Sequence, residues 1–143
     1  MKYRIEVRAG QEEDILIYAK EQTPLLAEIE KMLAEPATTL IGYIGEQIFP
    51  LGLDEIDCFC IEDGRVYALA EQRKLMLKER LYQLEAKAGN AFVRINQSCL
   101  VRISCIESFS PSIGGALMVK LENGYQDYVS RRQLKTLKER IGL

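Results

Sequence analysis

The sequence predicts a mostly β fold with flanking helices, built from small β-sheets and preceded by a short strand-strand-helix segment. Three observations lead there. Short apolar stretches recur between turn signals from Leu40 onward, two of those turns are the hairpin dipeptides Asp63-Gly64 and Asn123-Gly124, and only three stretches repeat apolar residues at helical spacing. With 143 residues, 48% of them hydrophobic and 28% charged, the chain can bury a real core without disulfide staples.

Taken in order, Lys2 to Arg8 alternates, with Tyr3, Ile5 and Val7 on one side and charges on the other, which is the pattern of a half-buried strand. A second strand is expected at Asp14–Ala19. Thr23-Pro24 then reads as an N-cap followed by proline in the first turn, with Leu25, Leu26, Ile29, Met32 and Leu33 at helical spacing up to Pro36. Residues 1–36 form this first segment, and Pro36-Ala37-Thr38-Thr39 is the expected linker to a second domain at 40–143. There, strands are expected at Leu40–Ile44, Gln47–Leu53, Ile56–Glu62, Arg65–Ala70 and Lys74–Leu77. Leu77, Leu81, Leu84 and Ala88 make a helical stripe ending at Gly89-Asn90. Further strands are expected at Phe92–Ile95, Cys105–Phe109, Ala116–Leu121 and Tyr125–Val129. Ser130 can cap a final helix through Ile141, turning Leu134, Leu137 and Ile141 inward and leaving Arg131, Arg132, Lys135 and Lys138 to solvent.

Composition narrows the function. The chain has no His and no Gly-x-Ser-x-Gly, phosphate-loop lysine motif or glycine-rich dinucleotide turn, so neither an enzyme nor a small-molecule substrate is expected. Cys58, Cys60, Cys99 and Cys105 are read as reduced, with Cys58 and Cys60 facing the same way on one strand as core filler. Without His or Cys-x-x-Cys hooks, neither a metal nor another cofactor is expected. Apolar runs are only a few residues long and Met1-Lys2-Tyr3-Arg4 leads into alternating charge, so the expected setting is cytoplasmic. The net charge of −2 hides a split: residues 1–90 hold 11 Lys/Arg against 17 Asp/Glu, and residues 91–143 hold 8 against 4. Such an asymmetry is compatible with one basic face on an acidic body, and does not alone imply nucleic acid.

Between Ala91 and Arg102 the chain alternates as a strand and leaves that rhythm at Asn96-Gln97-Ser98. Asn or Gln presents a donor and an acceptor together, matching the adenine edge, and Ser can hold a phosphate oxygen; an ordinary solvated loop has the same composition. Ser130-Arg131-Arg132 places two guanidinium forks at a helix start, where Arg can take guanine bidentately, clamp phosphate or simply face solvent.

The ordered set Ile56-Asp57-x-Phe59, a hairpin, Leu81 and Leu84, Phe92-Val93-Arg94-Ile95-x-x-Ser98-x-Leu100-Val101, Ile106, Gly115-x-Leu117-x-Val119-x-Leu121-x-Asn123-Gly124 and Val129-Ser130-Arg131-Arg132 resembles the LytTR domain family over about residues 40–143. The resemblance implies an elongated arrangement of small β-sheets whose loops enter successive major grooves of double-stranded DNA, as homodimers on paired half-sites. Three loop regions contact DNA in that family, and they fall on the hairpin around Gly64-Arg65, on Asn96-Gln97-Ser98 and on Arg131-Arg132. Gln97 and Arg132 are then the expected base contacts, Arg65 a base or phosphate contact, and Ser98 and Arg131 backbone contacts. Arg102 stands where the family often carries Asn after the Val, and its charge would suit a phosphate. About forty residues ahead of the domain cannot supply a receiver fold. That lead resembles the one in stand-alone LytTR regulators, for which a membrane-protein partner is expected. Residues 1–36 are expected to dock on the domain, help form a dimer or hold that partner. Two other classes remain: a protein-interaction module docking a membrane or sensor partner without DNA contact, and a ligand sensor resting only on the cysteines.

Overall fold

The structure is a computed structural model that describes residues 16–34 and 39–142. The chain separates into two units, 1–36 and 37–143.

In the first unit, α1 spans Pro24–Ala34. Thr23 caps it as the Thr-Pro pair predicts: its Oγ1 accepts from the Leu26 N–H at 3.2 Å and its carbonyl from Ala27 at 3.1 Å. Leu25 and Met32 are 49% and 80% exposed, so this unit leaves apolar surface on its helix uncovered. The strand expected at Lys2–Arg8 lies outside the described residues, as do Asp14 and Ile15. The rest of the second expected strand, through Ala19, has no regular structure, and Leu16, Ile17 and Tyr18 are exposed. A short apolar run alone does not make a strand at Leu16–Ala19, because its N–H and C=O groups need a neighbour to pair with.

The second unit is built on two antiparallel sheets. In chain order the elements are β1 (Thr39–Ile44), β2 (Gln47–Gly52), β3 (Ile56–Glu62), β4 (Arg65–Ala70), β5 (Arg73–Leu77), α2 (Leu81–Ala88), β6 (Phe92–Asn96), β7 (Cys99–Arg102), β8 (Ile106–Pro111), β9 (Leu117–Leu121), β10 (Gln126–Val129) and α3 (Arg131–Ile141). Seven strands pair in the order β2-β1-β5-β4-β3-β7-β6, and three in the order β10-β9-β8. The mostly β fold with flanking helices follows the sequence closely, with two differences. Leu77 ends β5, as the expected strand has it, and is buried there, but it takes no part in the helical stripe; the helix starts only at Leu81, where Gln83 Oε1 accepts from the Arg80 N–H at 2.9 Å. The strand rhythm also resumes after Ser98, giving β7.

Two cores form on opposite faces of the large sheet. On one, α2 lays Leu81, Leu84 and Ala88 over Leu40, Leu51, Phe59, Leu75, Phe92 and Leu100. On the other, Val119 and Leu121 of β9, Val129 of β10 and Leu137 of α3 cover Cys58, Val93, Ile95, Cys99 and Val101. β3, β6 and β7 are therefore buried on both faces, and their near-continuous apolar runs reflect it. Cys58 and Cys60 both lie buried on β3, and Cys60 sits opposite Cys99 of β7. Burial pushes all four thiols up, Cys105 to about 11, so they serve as neutral packing groups.

The hairpin dipeptides turn as expected. Asp63 and Gly64 adopt φ of 50° and 75° between β3 and β4, as a two-residue turn with two left-handed positions requires. Gly124 adopts φ 91°, and Tyr125 donates its N–H to Asn123 Oδ1 at 2.9 Å. The β4–β5 hairpin has the same left-handed pair without glycine, Glu71 at 50° and Gln72 at 63°, which is conformationally costly for side chains with a Cβ.

Candidate nucleic-acid interface

Three loops meet where β3, β6 and β10 end, because backbone and side-chain hydrogen bonds tie them together. Ile61 of β3 donates its N–H to the Ser98 carbonyl at 2.9 Å, which holds the Gln97-Ser98 turn two residues from Asp63. Ser130 donates its N–H to the Ile95 carbonyl at 2.8 Å, which places the start of α3 beside the same turn. Between these, the Asn96 amide donates to the Tyr128 carbonyl at 2.8 Å while its oxygen accepts the Ser98 N–H at 2.8 Å. Ser130 Oγ accepts from Gln133 N–H at 3.3 Å, capping α3 as the sequence predicts. The far end of α3 is anchored by Arg140, whose guanidinium reaches the Phe92 and Asn90 carbonyls at 2.8 and 2.6 Å.

The sequence-derived site residues divide into two groups. Arg65, Gln97, Ser98, Arg131 and Arg132 are exposed around the joined loops, and among the described residues none of the three arginines has an ion-pair partner. Asn96 and Arg102 differ from the expectation of groups free to meet DNA. Asn96 is 2% exposed with its amide and its oxygen each already bonded. Arg102 sits opposite Phe92, its guanidinium 4.6 Å from that ring centroid; its Nε donates to the Ile56 carbonyl at 2.8 Å and a second nitrogen to the Leu53 carbonyl. The alternation of β7 carries the signal that finds Arg102, because Leu100 and Arg102 share a face and Leu100 is core. For Asn96 the signal is weaker: an amide that ends an apolar strand two residues before a turn Ser can close that turn itself.

Asn96→Ala would strand the Tyr128 carbonyl and the Ser98 N–H together. We expect a loss of about 1–3 kcal/mol in unfolding free energy, read from urea denaturation, since a buried polar group without a partner costs that much.

Arg94 pairs with Glu85 at 2.6 Å and Lys120 with Glu107 at 3.5 Å, so these two cations are engaged within the fold. The strand-built domain thus gathers three polar loops, two of them bearing exposed arginines. The LytTr DNA-binding domain family model matches residues 46–142, and the chain belongs to that family. It is 34% identical over 105 residues, 73% of this chain and 71% of the relative, to an uncharacterized HTH-type transcriptional regulator of Staphylococcus aureus strain bovine RF122 / ET3-1. A similarly described protein of strain NCTC 8325 / PS 47 is 33% identical over the same shares. In fold, the chain is similar to the LytTr DNA-binding domain of a Bacillus cereus protein described as a methyl-accepting/DNA response regulator. The TM-score is 0.69 at 18% identity, covering 74% of this chain and 98% of that one. Five strands separate α2 from α3, and five separate α1 from α2, so the described residues hold no helix-turn-helix.

Proposed function

We propose that this chain is a sequence-specific transcription regulator that binds double-stranded DNA through loops set in successive major grooves. The observation that carries the reading is the hydrogen-bonded union of the Asp63–Arg65 hairpin, the Gln97-Ser98 turn and the start of α3, which gathers their polar tips on one support. In this reading Gln97 and Arg132 contact bases, Arg65 a base or phosphate, and Ser98 and Arg131 the backbone. Asn96 supports the loops from inside, and Arg102 holds the segment before β3 at the other end of the strands. No catalytic step, cofactor or small-molecule substrate enters, and within these 143 residues the domain stands without a receiver.

The test is repeated selection from a random duplex pool, followed by anisotropy titration of an enriched duplex and its scrambled counterpart at two salt concentrations. Tight binding that prefers the enriched duplex and weakens with salt supports the reading. Folded protein that enriches no sequence contradicts it.

We further propose that the regulator works in the cytoplasm as a homodimer and that residues 1–36 provide a docking surface for the dimer or for a membrane-protein partner. The uncovered Leu25 and Met32 of α1 support this. Removing residues 1–36 should lower the number of chains per particle measured by light scattering or weaken DNA binding. An unchanged number of chains together with unchanged binding would sink the idea. A protein-interaction module without DNA contact is the second reading, favoured by exposed Ile41 and Ile48 on β1 and β2, at 39% and 63%.

A further inference from the structure

The basic surplus of the C-terminal third is concentrated in one helix. Residues 91–143 hold 8 Lys/Arg against 4 Asp/Glu, and five of those cations, against a single acid, lie in α3. Outside α3, Arg94 and Lys120 are ion-paired and Arg102 is held by backbone carbonyls. Within α3, Arg140 is turned onto the Phe92 and Asn90 carbonyls. The exposed remainder is Arg131, Arg132, Lys135 and Lys138, with no ion-pair partner among the described residues. Arg131, Lys135 and Lys138 follow one another at i, i+4 and i+7, and they line one shallow hollow with Leu134 and Glu139. Leu137 packs into the core on another face of the helix, and the row is exposed along about two helical turns.

A row of ammonium and guanidinium groups on a chain of net charge −2 suits a ligand with regularly repeated negative charge. The row begins at Arg131, beside the Gln97-Ser98 turn, and runs back along β6 toward Phe92. We propose that Lys135 and Lys138 extend the DNA interface as a phosphate track, holding the backbone of the duplex whose bases the loops read. This rests on the DNA-binding reading above and adds two residues to it. Lysine is a point charge on a flexible stem, so the track fixes position and strengthens binding without discriminating sequence. Glu139 opposes it as the lone acid in the hollow.

The test measures anisotropy on the enriched and scrambled duplexes across a salt series, with the full chain, its Lys135→Gln/Lys138→Gln variant and its Glu139→Gln variant. The double lysine variant should weaken both duplexes by the same factor and reduce the slope of log K against log salt by about 2, because each lost phosphate contact removes about 0.9. Glu139→Gln should tighten both duplexes, a change of sign that damaged folding cannot imitate. Wild-type slope in the double variant, with preference for the enriched duplex intact, would overturn the phosphate track and leave the DNA reading standing. Absence of salt-dependent binding in the unaltered chain would overturn both.

Discussion

Arg132→Ala should lose about 1–3 kcal/mol of binding at the preferred duplex, roughly a 5- to 150-fold weakening, while binding to scrambled DNA changes far less. The side chain is exposed at the start of α3 and has no ion-pair partner among the described residues, so its removal breaks no internal support. Its helix stays capped by Ser130 and anchored by Leu137 and Arg140. The urea midpoint should therefore stay where it is while the preference ratio collapses. Equal losses on both duplexes would make Arg132 a phosphate contact instead, and no loss on either would remove it from the interface.

Phe59→Ala should do the reverse. Phe59 is fully buried in the core under α2, with its ring 5.4 Å from that of Phe92 at a tilt of 42°. Removing a buried phenyl typically costs about 3–5 kcal/mol, transfer and cavity together. Set against a domain stability of about 5–15 kcal/mol, that loss leaves the domain marginal or unfolded at moderate temperature. Thermal or urea unfolding followed by circular dichroism reads it directly. A loss below about 1 kcal/mol would mean that the core does not close around this ring as described. Together the two variants separate what holds the domain from what it holds.

Most of the strand framework was readable in the sequence because hairpins leave local marks. Asp63-Gly64 and Asn123-Gly124 stand where the backbone needs left-handed conformations, and β3 and β4 were placed to the residue around the first of them. The Glu71-Gln72 turn has the same geometry without the glycine, and only the apolar runs on either side revealed it. The start of α2 is ambiguous in the sequence because Leu77 satisfies helical spacing as well as the inward face of β5, and periodicity cannot choose between two buried roles. The double core is only half legible: the near-continuous apolar runs of β3, β6 and β7 mark burial on both faces, but not what supplies the second cover. Nothing local in β3, β6 or β7 says that β9, β10 and α3 will cover their second face.

The family resemblance names three loops that the structure joins by hydrogen bonds, while the bonds of individual side chains are less legible in the sequence. Asn96 and Arg102 carry the chemistry of DNA contacts, yet the structure uses their donors on backbone carbonyls of β10, of β3 and of the segment before β3. Polarity names what a side chain can bond to; burial decides which bonds are open to a ligand. Engagement matters as well on α3, where Arg140 is spent on the Phe92 and Asn90 carbonyls while Lys135 and Lys138 have no ion-pair partner among the described residues.

The most direct test of base reading by the joined loops is dimethyl sulfate protection of the enriched duplex, because the reagent marks guanine N7 in the major groove and adenine N3 in the minor groove. Our account predicts N7 protection in major-groove segments about one helical turn apart, with one protected guanine lost in Arg132→Ala. Protection confined to adenine N3, or none under conditions where the protein holds the duplex, would contradict it.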